Sequence, residues 1–250
     1  MNSREKFFFR IQYLLGRLFI FIAAPAVTLV IRLFGYTIND LADMRRTIGA
    51  CLKKHDGPWL ICANHLTMID SIIITYVMFP LYRYALQYRL MPWNIPEKVN
   101  LYQIHPIVVM LCHLLKCLPV VRGGNRDTMD TSIAKCTYIL NLGENLIIFP
   151  EGKRSRNGRI DTQDFPYGVG RFAHLVPNCR VLCIYLRGDH QEAYSDFPRF
   201  KENFSVAVDD FMPATELRGL KAQREYARQI IETLSEMEKT YFGSRGQRYC

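Results

Sequence analysis

Residues 58–79 read Pro-Trp-Leu-Ile-Cys-Ala-Asn-His-Leu-Thr-Met-Ile-Asp-Ser-Ile-Ile-Ile-Thr-Tyr-Val-Met-Phe. The first six are a short, wholly apolar run of the kind that forms a buried strand, and Pro80 stops the longer apolar run that closes the stretch. Ser71–Phe79 is a helix whose first turn takes in Asp70, so the unit is strand, loop, helix, with His65 on the loop. The pattern recurs. Leu146–Phe149 is another strand and ends on Pro150-Glu151-Gly152-Lys153-Arg154; Leu118–Val121 is a third and ends on Arg122-Gly123-Gly124. Val181–Leu186 and Phe204–Val208 complete the strands, and Tyr82–Tyr88 also reads as one.

Between these runs lie helical patterns. Asp40–Lys54 is amphipathic with Asp40 placed to cap it, Pro106–Cys117 is a second buried helix, and Asp127–Leu142 is closed by Gly143. Phe165–Leu175 and Thr215–Tyr241 are helical too. Short apolar strands alternating with helices give an α/β class with a mostly parallel, helix-covered sheet. In such sheets, ligands gather at the carboxyl ends of strands, and His65, Arg122 and Glu151 each follow one.

The 250 residues carry a net charge of +9, which calls for an anionic partner: a nucleic acid, a phosphate-bearing substrate or an anionic membrane. Lys153, Arg154, Arg156 and Arg159 concentrate that charge without an aromatic stacking platform, which counts against nucleic acid. The eight cysteines sit mostly in apolar runs and form no Cys-x-x-Cys pair, so neither a disulfide framework nor a metal site is expected. Cys112-His113 with Cys117 comes closest to ligand spacing but falls in an apolar helix. The chain reads as reduced and facing the cytosol.

Residues 1–36 form a separate segment. Arg4, Lys6, Arg10 and Arg17 mix with aromatics before an uncharged run, Leu18–Ile31, interrupted by Pro25. That run is short of the roughly 20 residues that span a bilayer. A kinked helix or helix pair lying in one leaflet is the favoured reading, ahead of a true span or a core helix. Residues 37–250 show no composition break and are read as one catalytic domain.

A histidine followed five residues on by a carboxylate can serve as an oriented general base, His65 taking a proton and Asp70 fixing its tautomer. Backbone N–H groups near the helix start at Asp70 are the expected oxyanion donors. Together, Asn64-His65-x-x-x-x-Asp70, Leu118–Gly123, Phe149-Pro150-Glu151-Gly152 and Val176-Pro177 resemble, in order and separation, the membrane-associated glycerolipid acyltransferase family. The resemblance implies transfer of a fatty acyl group from acyl-CoA or acyl-ACP to the free hydroxyl of a lysophospholipid. The default acceptor is 1-acylglycerol-3-phosphate, giving phosphatidic acid; another lysophospholipid or an amino-acid lyso-lipid is the alternative.

It further implies His65 as base, Asp70 as its orienting acid, and Arg122 and Arg154 on the acceptor phosphate, with Glu151, Gly152 and Lys153 contributing to the substrate site. No metal or cofactor beyond the thioester is implied. The catalytic domain would face the cytoplasm, on the inner membrane if the source is bacterial. Lys153, Lys116, Pro119 and Arg180 depart from the family's usual residues and put the acceptor lipid in doubt. A non-catalytic basic lipid-binding protein and a thioester hydrolase are the rivals; a hydrolase using water has no need of the cationic loop.

Overall fold

The computed structural model describes residues 3–103, 105–121 and 126–246. A six-stranded sheet organises the domain: β1 (Thr37–Ile38), β2 (Trp59–Ala63), β3 (Trp93–Asn94), β4 (Leu146–Ile148), β5 (Arg180–Gly188) and β6 (Asn203–Phe211), in the spatial order 1-6-5-2-4-3. All neighbours are parallel except β5 and β6, which pair antiparallel from Val181↔Phe211 to Gly188↔Phe204. The sheet is therefore the expected mostly parallel one.

Side-chain alternation sets the two layers. Trp59, Ile61 and Ala63 of β2, with Leu182, Ile184 and Leu186 of β5, enter one core. Leu60 and Cys62, with Val181, Cys183 and Tyr185, enter the other. The first core is closed by α1 (Ser3–Leu33), α2 (Leu41–Lys53), α3 (Asp70–Met78) and α4 (Leu81–Leu86). The second is closed chiefly by α7 (Arg126–Asn141), α8 (Gly168–Leu175) and α9 (Gly219–Gly246). Two short helices, α5 (Lys98–Tyr102) and α6 (Pro106–Leu114), lie between β3 and α7 in the chain. With both faces covered, β2 is buried at all five positions, as its unbroken apolar run requires.

Several expectations need correction. Residues 82–88 are not a strand: α4 and a 3₁₀ turn at Tyr88–Leu90 occupy them. Leu81, Tyr84 and Tyr88 are the buried positions, a spacing of three and four that belongs to a helix and that so short a segment conceals. The edge strand lies later, at Trp93–Asn94. Leu118–Val121 is not a full strand: it runs beside residues 94–98 through the parallel bridges Asn94↔Cys117 and Glu97↔Val120, with the Leu118 and Val120 N–H groups donating to the Asn94 and Pro96 carbonyls (2.8 and 3.0 Å). Asp40 precedes α2 in a left-handed conformation (φ 49°) and makes no side-chain cap. α8 starts at Gly168, later than Phe165, because Pro166 restrains the residue before it to extended backbone. α6 is helical but has no buried residue, so it is not a core helix.

The N-terminal segment is one continuous helix with Pro25 inside, rather than a helix pair. Phe9, Gly16, Ile20, Ala23, Ala24 and Ile31 face the domain, while Leu14, Leu18, Phe21, Ile22, Leu29 and Leu33 face outward. By length and composition it is long and apolar enough to cross a membrane.

Candidate active site

The strands β2 and β4 run parallel and end at the same edge, which brings Asn64-His65 beside Phe149–Gly152. Asn64 carries the β2–β5 ladder one residue beyond the strand by side chain. Its amide nitrogen donates to the Leu186 carbonyl (2.9 Å), and its oxygen accepts from the Leu186 N–H (2.7 Å). The main chain is thereby released from the sheet at His65. It is caught at once by the neighbouring loop: the His65 N–H donates to Glu151 Oε1 (3.1 Å), and its carbonyl accepts from the Ser155 N–H (2.9 Å).

The imidazole lies flat on Phe149, with ring centroids 4.0 Å apart and planes 14° from parallel. Its Nδ1 is 3.0 Å from Asp70 Oδ2. Asp70, the first residue of α3, is buried and accepts from the Leu66 N–H (2.7 Å), the Thr67 N–H (2.8 Å) and the Thr67 hydroxyl as well. A carboxylate on Nδ1 fixes that nitrogen as the donor and leaves the lone pair on Nε2. Nε2 has no hydrogen-bond partner among the described residues, and the His65 side chain is 20% exposed. The ring is held at Nδ1 by Asp70 and on one face by Phe149, with Nε2 left open.

Glu151 is buried, and burial pushes its carboxyl up to about 8, with Glu238, Asp161 and Asp70 adding to the effect and the His65 N–H opposing it. At neutral pH it is therefore largely an uncharged acid. Gly152 turns the chain with φ +70°, and a Cβ there would sit 2.6 Å from Pro166 Cγ, so only glycine fits. Lys153 is exposed and reaches Asp164 (3.4 Å). Arg154 donates to Asp196 (2.8 Å) and to the Ser195 carbonyl (3.1 Å). Arg122 lies outside the described residues.

Residues 195–196 were not anticipated. They form a strap over the histidine loop, the Ser195 N–H donating to the Leu66 carbonyl (3.1 Å) and the Met68 N–H to the Asp196 carbonyl (3.1 Å). Arg154 holds that strap down. The strap also alters one expectation. The N–H groups of Leu66, Thr67, Met68 and Asp70 donate within the protein, so these four are already engaged. No sequence signal marks the strap, because its contacts are with residues far away in the chain. Phe149 as a stacking partner was visible only as part of its motif.

Two apolar spaces adjoin this loop. A cavity of about 160 Å³ lies between α1 and α3, with Met68, Ile72, Ala24 and Val27 among its walls. A groove of about 550 Å³ borders Phe149, Pro150 and Gly152 and continues past Val120, Ile133 and Phe172. The cavity reaches the histidine loop at Met68, and the groove reaches the ring's stacking partner Phe149.

The arrangement is a histidine oriented by a buried carboxylate, with apolar spaces bordering Met68 and Phe149. The model of the family described as Acyltransferase matches residues 44–187, more than half the chain. The chain belongs to the Acyltransferase family. No curated protein matches it. Within this acyltransferase, the matched stretch runs from α2 to the end of β5 and contains both His65 with Asp70 and the Phe149–Gly152 turn. It excludes α1, β6 and α9.

Proposed function

We propose that this acyltransferase moves a fatty acyl group from an acyl thioester, acyl-CoA or acyl-ACP, to the free hydroxyl of a lysophospholipid. The default acceptor is 1-acylglycerol-3-phosphate. The observation that carries this reading is the His65–Asp70 pair: Nδ1 is bonded at 3.0 Å, Nε2 is open, and the ring is clamped on Phe149 beside two apolar spaces.

In the proposed reaction, Nε2 takes the hydroxyl proton as the oxygen attacks the thioester carbonyl carbon. The tetrahedral intermediate then collapses, the C–S bond breaks, and the leaving thiolate recovers the proton from the imidazolium. Asp70 stabilises that imidazolium without taking a proton itself. Arg122 meets the acceptor phosphate, and Lys153 lies on the same loop as Glu151. Arg154 joins Arg122 on that phosphate, while its Nη1 bond to Asp196 braces the loop that carries it. α1 attaches the domain to the membrane that supplies the acceptor, with its cationic residues on anionic headgroups.

The direct test is purified protein with labelled acyl-CoA and a panel of lysolipids, read by product mass; absence of any acylated lysolipid overturns the reading. Arg122→Ala is expected to raise the acceptor KM about tenfold or more and the donor KM little, in line with loss of a charge-assisted phosphate contact. Equal effects on both would remove Arg122 from the acceptor site.

Glu151 gives a pH prediction. An uncharged acid does not repel an acceptor phosphate, whereas its carboxylate does. The acceptor kcat/KM should therefore fall as pH rises through about 8. Glu151→Gln, which still accepts from the His65 N–H, should abolish that limb and keep most of the activity below it. Stability follows the same sign. The folded-state value is raised from 4.5, so the folded protein holds the extra proton between 4.5 and about 8 and loses stability across that window as pH increases. Glu151→Gln should be the more stable protein above pH 8 in a denaturation series.

A further inference from the structure

Apart from Pro106 and His113, every residue of α6 is apolar, yet none is buried. Ile107 is 57% exposed and Met110 54%, and α5 adds exposed Val99 and Tyr102. Leaving such a surface in water forfeits about 25 cal/mol for each Å² of apolar area. α6 is also bound to α1. The Gln12 amide donates to the carbonyls of His113 (2.8 Å) and Cys117 (2.9 Å). A Cβ on Gly16 would lie 2.5 Å from the Leu114 carbonyl oxygen, so the first half of α1 touches the end of α6. The outward apolar face of α1 thus continues onto α6.

We propose that α6, with α5, is a second bilayer-seated element lying in the same leaflet as α1. This inference rests on the reading of α1 as membrane-attached and extends it to a part of the chain well inside the catalytic domain. At about 1.5 Å per residue, α6 is far too short to span a bilayer, so it lies along the interface. A lipid surface is favoured over a second copy of the chain because the exposed face adjoins α1, whose Arg4, Lys6, Arg10 and Arg17 match anionic headgroups. The placement has a consequence for access. Cys112 and Leu115 wall the cavity between α1 and α3, so seating α1 and α6 together sets that cavity against lipid hydrocarbon.

The test uses the full chain on phosphatidylcholine–phosphatidylglycerol vesicles carrying brominated acyl chains. An indole is introduced by Ile107→Trp on α6, Leu18→Trp on α1, or Lys221→Trp on an exposed site of α9. The native Trp59 and Trp93 are buried and give a background measured in the unaltered protein. The Ile107→Trp and Leu18→Trp indoles are expected to be quenched by the bromolipid and protected from acrylamide, and the Lys221→Trp indole the reverse. Met110→Asp, with an unchanged circular dichroism spectrum, should weaken vesicle binding about tenfold.

If the Leu18→Trp indole meets lipid while that of Ile107→Trp behaves like Lys221→Trp, α6 lies in water and the inference fails with the α1 reading intact. If neither meets lipid, both fail. An Ile107→Trp indole shielded from both quenchers in a protein of doubled mass assigns the face to a second copy and likewise overturns the inference. None of these outcomes depends on acyl transfer.

Discussion

His65→Ala should cut acyl transfer by about 10²–10⁴-fold, the usual range for removing a general base, while the protein remains folded. The fold is insulated from the loss because the two main-chain bonds of residue 65, to Glu151 and Ser155, do not involve the ring. Asp70→Asn tests the same site from the other side. Asp70 Oδ2 collects the imidazole and two N–H groups, and an amide oxygen can still accept from those donors. What disappears is the charge that stabilises an imidazolium, so kcat should fall about 10²–10³-fold with a smaller change in KM. Stopped assays on the two purified variants, with thermal unfolding as the folding control, decide the matter. Turnover within a few fold of the unaltered protein in His65→Ala would withdraw the base assignment.

The largest stability effect is expected away from the site, at Glu144. Lys116 is almost wholly buried, and its ammonium donates to Glu144 Oε2 (2.6 Å) and to the carbonyls of Tyr88 (3.0 Å) and Met91 (2.9 Å). It also lies over the rings of Tyr13, Tyr88 and Trp93. Tyr13 belongs to α1, so this cluster is one of the joints between that helix and the domain. Glu144→Ala leaves a buried cation without its counter-charge, which typically costs about 3–5 kcal/mol.

The pH dependence identifies the cause. Burial already holds Lys116 down to about 8 against Glu144, and losing Glu144 lowers it further. A lysine depressed in the folded state makes stability rise with pH from its folded value toward 10.5. The deficit of Glu144→Ala should therefore shrink as pH rises from the variant's lowered value to about 8, where the lysine of the unaltered protein also gives up its proton, and stay level above that in denaturant titrations. Replacing both partners with apolar residues should recover most of the loss. A deficit that ignores pH would mean that packing, rather than the stranded charge, is responsible.

Some of this was legible in the chain and some was not, for identifiable reasons. Trp59–Ala63 and Arg180–Gly188 announce a two-sided buried sheet because nothing polar interrupts them over most of their length. Residues 82–88 misled because a seven-residue, tyrosine-rich segment with polar Arg83 and Gln87 fits either period, and only contacts with other elements choose between them. At the site, His65, Asp70 and Glu151 stand together as their spacing suggested. The role of Arg154 was not legible, since its partners at 195–196 are some forty residues distant. The carboxylate that orients the histidine also takes the Leu66 and Thr67 amide protons, an engagement that spacing alone did not reveal.

The two bonds that join the His65 main chain to Glu151 and Ser155 make the base and the acceptor-side loop mechanically one body. Any force on the loop, whether from a docking headgroup or from a change of residue, is transmitted to the imidazole's aim. Under the proposed function, selection for a new headgroup would be coupled to the rate of chemistry, and variants of the 151–159 turn are expected to trade turnover against choice of lipid.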